Sequence, residues 1–296
     1  MPARIMNLRR RSLLQAASLS ALPVAAFASG AREIRVVLGE EGERQREALE
    51  GLRRRLSKFT VQPPGSQAKP LAQVAFGAAA FEAAISTSPD VPTLCLFASR
   101  QGYEQAVLRI GASSKPASAI YAEPSPTQQM RLIAALYKRP IAVGAFVSAQ
   151  SRHVAPLWAE AAREHHLAFK AVEIESGASL ARSMNRLAPV DVLLVFPDAS
   201  LYTPTSLREL LESTYRRRQP VIGFSQSLVR AGTLASAYTD VEDTIAQLDA
   251  MLEQIAAGRA SAPQYPRYWR VAVNNSVARS LDVVIDEAVQ SLGDRP

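Results

Sequence analysis

The sequence predicts an α/β fold built as two successive lobes, each a parallel sheet covered by helices on both faces. Three observations carry that expectation. Short apolar runs alternate with longer amphipathic stretches through the chain from residue 32 onward, the rhythm of strand and crossover helix. The runs stop abruptly at Gly, Ser or Pro-Asp, as buried strands do at the edge of a sheet. A proline-rich break, Glu123-Pro124-Ser125-Pro126, interrupts the rhythm once, and the same pattern restarts behind it. At 296 residues the chain exceeds one typical core, and domains of roughly 100 to 150 residues are the expectation. With 48% hydrophobic residues it can fill two.

In chain order, Glu33 to Leu38 reads as a strand and Gly39 to Gly42 as a turn. Glu43 to Leu56 is a charged helix with Ala48, Leu49, Leu52 and Leu56 on one face. Phe59 to Val61 is a second strand, stopped by Pro63-Pro64-Gly65. Gln73 to Phe76 is a third, with Gly77 at its exit and a helix over Ala78 to Ile85; Pro92 to Phe97 is the fourth and Ser118 to Tyr121 the fifth. Beyond the break come a helix (Thr127 to Tyr137), a strand (Ile141 to Val147), a helix (His153 to His166), a strand (Ala168 to Ile174) and a helix (Gly177 to Leu187). Asp191 to Phe196 is a strand ended by Pro197-Asp198, and Thr205 to Arg217 a helix. Pro220 to Gly223 is a short buried strand; Ser225 can cap a helical turn from Gln226 to Ala231, and Gly232 stops it before the strand Leu234 to Tyr238. A helix from Val241 to Ala257 and a strand near Arg270 to Val273 follow, either of which could return to the first lobe.

The formal charge of +7 points first to an anionic partner, but Arg4, Arg9, Arg10 and Arg11 lie in the first 31 residues, where no acid occurs. Without them 30 basic face 27 acidic residues, about +3, which gives no reason to expect nucleic-acid binding. These residues have the parts of an export signal: a basic start, an apolar run from Leu13 to Phe27, and cleavage-compatible small residues at Ala26-Phe27-Ala28 and Ser29-Gly30-Ala31. Arg10-Arg11-Ser12-Leu13-Leu14-Gln15 resembles the twin-arginine motif, and a general secretory signal accounts for the same residues. The apolar run is shorter than the roughly 20 residues of a membrane span and contains Pro23. Periplasmic localisation, with cleavage near Ala28 or Ala31, is the expectation. The single cysteine, Cys95, lies in an apolar run, so it reads as a core thiol and excludes a disulfide framework.

Gly223-Phe224-Ser225-Gln226-Ser227 begins like a nucleophile elbow, yet position 227 is serine where the elbow needs glycine, and no histidine follows His166. No enzyme is expected. His153, His165 and His166 share one helical stretch at a spacing that turns them apart, so no metal site is expected. Gly39-Glu40-Glu41-Gly42 lacks the dinucleotide pattern and offers two carboxylates where a pyrophosphate would sit, so no cofactor is expected. The arginine runs 53 to 55 and 216 to 218 lie near helix C-termini, where cations suit the dipole. Geometry remains: ligands of open α/β sheets bind beyond the carboxyl ends of the strands. The exits carry Gly77, Ser99, Tyr121, Glu123, Ser148, Asp198, Phe224 and Ser225, and whatever meets the last two also meets Tyr238. Small and hydroxyl residues, aromatics and carboxylates together suit a small organic solute carrying an amine or hydroxyls.

Pro220-Val221-Ile222-Gly223-Phe224-Ser225, Val229-x-Ala231-Gly232-x-Leu234-Ala235, Tyr265-Pro266-Arg267-Tyr268, Val271-Ala272-Val273-Asn274 and Val277-Ala278-Arg279-Ser280-Leu281 resemble the C-terminal half of proteobacterial ABC transporter substrate-binding proteins of the tryptophan/tyrosine type. Ala119-Ile120-Tyr121, Pro124-x-x-x-Gln128, Asp191-Val192-Leu193-Leu194 and Pro197-Asp198 agree, so the resemblance spans about Ser118 to Leu281. It implies a type I periplasmic-binding-protein fold: two Rossmann-like lobes, a hinge of crossing strands, and closure over one solute. Lobe 1 would hold residues 32–122 and about 239–262, and lobe 2 residues 123–238 and about 263–296. The implied role is the periplasmic component of an ABC transporter: a monomer, without cofactor, that binds a small organic solute such as an amino acid or aromatic compound and presents it to an inner-membrane permease. Tyr121 or Phe224 would stack on the solute, and Asp198 or Glu123 would pair its ammonium. A ligand sensor reporting closure to a membrane kinase or uptake system is the alternative.

Overall fold

The computed structural model describes residues 32–296 apart from 40, 41, 57, 112–115 and 176, and the side chains of 43 and 44 also lie outside it. The export segment expected over residues 1–31, and part of the turn at 39–42, fall outside the described residues.

Two sheets with helices on both faces organise the rest. The first contains β1 (Glu33–Leu38), β2 (Thr60–Val61), β3 (Ala72–Phe76), β4 (Thr93–Leu96) and β5 (Ala117–Ile120), in the order β2-β1-β3-β4-β5 and parallel throughout. The second contains β6 (Ala142–Val147), β7 (Ala168–Glu173), β8 (Val192–Leu194), β9 (Val221–Gly223), β10 (Ala235–Tyr238), β11 (Trp269–Val273) and β12 (Gly293–Asp294), in the order β12-β11-β10-β9-β8-β6-β7. Reversed, the parallel part β7-β6-β8-β9-β10 repeats the winding of the first sheet, so β4 corresponds to β9 and β5 to β10.

Strand periodicity explains how each sheet buries both faces. On β3 and β4, Val74, Phe76, Leu94 and Leu96 enter one core, while Ala75 and Cys95 enter the opposite one. On β6 and β8, Val143, Ala145, Val192 and Leu194 face one way, and Phe146 and Leu193 the other. Each large apolar side chain so buried contributes roughly 1.5–3 kcal/mol before entropy is counted. Burial pushes the Cys95 thiol up to about 12, consistent with an inert core cysteine.

Helices α1 (Glu43–Arg55), α2 (Ala78–Thr87) and α3 (Arg100–Arg109) follow strands of the first sheet, and α4 (Pro126–Tyr137), α5 (Ala155–Glu164), α6 (Leu180–Leu187), α7 (Pro204–Arg216) and α8 (Gln226–Ala231) serve the second. Local chemistry sets their starts. Ser125 and Gln128 form a capping box with Pro126 in the first turn of α4, and Thr203 and Ser206 do the same before Pro204 in α7. Helix α9 (Val241–Ala256) is capped by Asp240 and carries Glu242 and Asp243 in its first turn. Its Ile245, Leu248, Met251 and Leu252 pack with Ile34 and Leu52, so α9 serves the first sheet. Short helices α10 (Asn275–Ser280) and α11 (Glu287–Gln290) close the chain.

Several details correct the sequence expectation. The second sheet is mixed, because β11 returns from α9 and pairs antiparallel along the free edge of β10, with β12 antiparallel beyond it. Helix α3 has no counterpart in the expected pattern, since Gly102 in its first turn and its many polar residues hide the helical period. The stretch His153 to His166 begins as a 3-10 turn, Arg152–Val154, and becomes α-helical at Ala155.

The chain passes between the two sheets three times: after β5, after β10 and after α9. These passages are mostly irregular rather than strands. One bridge, Ile120 to Gln264, joins two of them, with the Tyr121 N–H donating to Gln264 O at 3.0 Å and the Gln264 N–H to Ala119 O at 2.9 Å. Beside it Arg270 of β11 places a two-pronged hydrogen bond on Asp243 of α9, at 2.9 Å on each side, and Asp243's side chain is fully buried.

Candidate functional site

The carboxyl ends of both sheets open toward one cleft, and its walls come from equivalent positions of the two windings. Phe97 is the first residue after β4 and Phe224 the first after β9; Ser99 caps α3 and Ser225 caps α8. Each serine Oγ accepts a backbone N–H in the first turn of its helix, from Gly102 at 3.0 Å and from Leu228 at 3.3 Å.

Two chambers share Phe224. One, of about 420 Å³, is lined by Phe97, Phe224, Ser225, Arg230, Tyr238 and Glu242 among others, Glu47 and Asp240 included. The other, of about 280 Å³, has Ser99, Gln101 and Gln105 on one side and Gln150, Asp198 and Phe224 on the other. A third hollow of about 20 Å³ adjoins the second, sharing Gln101 and Pro197, and reaches Glu123, Trp158, Phe196 and Tyr265. A surface hollow of about 490 Å³ around Pro189, Asp191 and Arg218 lies at the opposite, amino ends of the second sheet, away from every strand exit.

Contacts between the lobes close the cleft on the α3 side. Gln105 Nε2 donates to Gln150 Oε1 at 3.1 Å, and His153 Nε2 lies 3.1 Å from Glu104 Oε2. Glu104 Oε1 in turn accepts from Arg100 Nε at 2.7 Å, and Arg100 Nη1 donates to Tyr265 Oη at 3.3 Å.

The expected site residues thus divide. Phe224, Ser225 and Tyr238 meet in the larger of the two cleft chambers, Ser99 and Asp198 in the smaller, and Glu123 in the third hollow. Three fall outside these walls. Gly77 caps α2 at φ +95 with open space where a Cβ would sit. Tyr121 is buried against Tyr265 and Tyr103, ring centroids 5.0 and 6.0 Å away, and burial pushes its phenol up to about 12. Ser148 is buried and donates to Asp198 Oδ2 at 2.7 Å.

The two candidate carboxylates differ in kind. Burial works to raise the Asp198 carboxyl, but hydrogen bonds from Ser151, Ser200 and Ser148 outweigh it and hold the group below its ordinary value. Glu123 is pushed up to about 7, first by burial, with the Arg100 backbone N–H working against it at 2.8 Å. Ser225's hydroxyl lies 2.8 Å from Ser227 Oγ, with no base in that pair to activate it.

Sequence reading missed Phe97, Gln101, Gln105, Gln150 and Arg230. In the sequence Phe97 reads as the end of its strand, and its left-handed φ of +61 is invisible there. Its equivalence to Phe224 by strand order was the signal available. Among the described residues no cluster of metal-ligating side chains occurs, and no helix is long and apolar enough to cross a membrane.

Comparison with solved structures identifies the architecture. A ligand-free, open substrate binding protein with adhesive properties from Clostridium difficile superposes with a TM-score of 0.63 at 15% identity, covering 88% of this chain and 98% of that one. The chain has the two-lobe fold of periplasmic substrate-binding proteins. An ABC domain in complex with L-Trp from Streptococcus pneumoniae matches at TM-score 0.58 and 15% identity, over 88% of this chain and 97% of that chain. A conserved domain protein from Vibrio cholerae matches at 0.57 and 16%, over 88% and 97%. No family model matches the sequence, and no curated protein matches it either.

Proposed function

We propose that this chain is an exported solute-binding protein that closes its two lobes over a small organic molecule and presents it to an inner-membrane ABC permease. The observation that carries the reading is the pairing of Phe97 with Phe224, and of Ser99 with Ser225, at equivalent strand exits of two lobes that share one cleft. Aromatic walls suit a flat or apolar solute part, and the serines and the Gln101, Gln105 and Gln150 amides supply polar contacts for the rest. The bound L-Trp of one solved relative agrees with an amino acid or aromatic compound. Closure would follow from tighter binding to the closed arrangement, and the permease would read the closed form. Residues 1–31 support export to the periplasm, and the protein works as a monomer with no chemical step. A thermal-shift screen of the protein against amino acids, aromatic acids and sugars tests this. A ligand at 100 times its dissociation constant adds roughly 2.7 kcal/mol of stability. If no small solute raises the melting temperature, the reading fails. If one does, but the closed protein engages a membrane kinase and no permease, the sensor alternative replaces the transport role.

A further inference from the structure

Resting on the solute-binding reading, we infer that Glu123 is the receptor for a cationic amine carried by the ligand, reached through the small hollow between Gln101 and Pro197. Two buried carboxylates border the cleft, and only one has an oxygen to spare. Asp198 Oδ2 accepts from Ser148 Oγ at 2.7 Å, and its Oδ1 from the N–H and Oγ of Ser200 at 3.0 and 2.5 Å. Glu123 is 6% exposed; its Oε1 accepts the Arg100 N–H, and its buried Oε2 has no hydrogen-bonding partner in the protein. A buried carboxylate oxygen without a donor is costly and calls for one.

The hollow beside it, about 20 Å³, has room for one ammonium head, which needs about the space of a water. Its other walls include Trp158 and Phe196, stacked 5.6 Å apart, and aromatic side chains attract cations; the Tyr265 ring, also in the wall, already has the Arg100 guanidinium 5.9 Å from its centroid. The charged neighbours leave a negative remainder. Arg100 is turned to Glu104 and Tyr265, so Arg100, Glu104 and Glu123 together carry one net negative charge when ionised. His153, which lines the same hollow and meets Glu104 across the cleft, adds a positive charge only when protonated, and the phenols of Tyr121 and Tyr265, both raised chiefly by burial, stay neutral near pH 7. Because Gln101 and Pro197 also line the 280 Å³ chamber, a solute lying there can extend an amine past them to Glu123. Arg100 and Gln101 come from the first lobe and Trp158, Phe196 and Pro197 from the second, so an amine held here would favour closure.

Matched pairs separate the amine from the rest of the ligand: phenethylamine against 2-phenylethanol, and L-phenylalanine against 3-phenylpropionate, titrated calorimetrically into the full chain at pH 6, 7 and 8. The amine member should bind at least about tenfold tighter than its twin. Its affinity should rise about tenfold from pH 6 to pH 8 as Glu123 loses its proton. Glu123→Gln should remove both effects, and His153→Gln should leave both in place. Equal binding within pairs, an amine preference that survives Glu123→Gln, or a pH slope that disappears in His153→Gln would each overturn the inference. The pair preference and pH profile are read on the unaltered protein, so they decide the matter even if a variant fails to fold. Binding of solutes that lack an amine, with no amine bound, would overturn this assignment and leave the solute-binding reading standing; silence from every solute overturns both.

Discussion

Glu123 and Asp198 show how two carboxyls on neighbouring walls reach opposite states. Asp198 is ringed by serine hydroxyls, so its charge is stabilised although only 2% of the residue is exposed. Glu123 has one donor and is pushed up from 4.5 to about 7 by burial. The folded protein therefore holds that proton more tightly than the unfolded chain, so stability falls as pH rises through the window from 4.5 to about 7 and the full cost persists above it. Glu123→Gln should remove this cost. Its advantage over the unaltered protein should grow by about 3 kcal/mol between pH 4 and pH 8, read from urea unfolding at the two pH values. A gap that stays constant with pH would show that Glu123 is not the strained group.

At the scale of elements, the site depends on short strands that end at the right residue. Strand β9 delivers Phe224 and Ser225 to the cleft, and Gly223 lets the chain leave the sheet beneath α8: a Cβ there would stand 2.9 Å from Leu228 Cβ and 3.0 Å from Thr233 Oγ1. Gly223→Ala should cost about 1–3 kcal/mol in thermal or denaturant unfolding, and should weaken ligand binding because Phe224 shifts with the strand end. The same exit is held from the other side by Gln129 of α4. Its Nε2 donates to Gly223 O at 2.9 Å, and its Oε1 accepts from the Ala237 N–H at 3.2 Å. A fully buried glutamine on a helix thus ties together the carboxyl ends of β9 and β10.

For the whole molecule, the question is what couples two lobes that each have their own cores. Arg270 is on β11 of the second sheet, between β10 and β12, and Asp243 is on a helix that packs against the first. Arg270→Ala would leave the buried Asp243 carboxylate without its counterion and should cost about 2–4 kcal/mol, measured by urea unfolding; Arg270→Lys should recover only part, because lysine cannot form the two-pronged bond. An unchanged midpoint in Arg270→Ala would mean that this ion pair does not couple the lobes.

How much was legible in advance follows from the range of the forces involved. The alternating rhythm marked nearly every strand of the two windings, because burial on both faces demands a short apolar run, and that demand is written locally. Ser99, Phe224, Ser225 and Tyr238 could be named for the same reason: strand exits announce themselves by composition. Phe97, helix α3 and the Gln105 to Gln150 contact could not, since they depend on a left-handed backbone, a helix masked by Gly102, and the approach of residues 45 apart in sequence. By itself the sequence determined the α/β class, the break between windings and the chemical kinds of residue at the cleft. Only the tertiary structure decided which carboxylate is satisfied and which is not, because that depends on the Ser148–Ser151 turn being brought to Asp198, beside its own neighbour Ser200, and on the backbone N–H that Arg100 offers to Glu123.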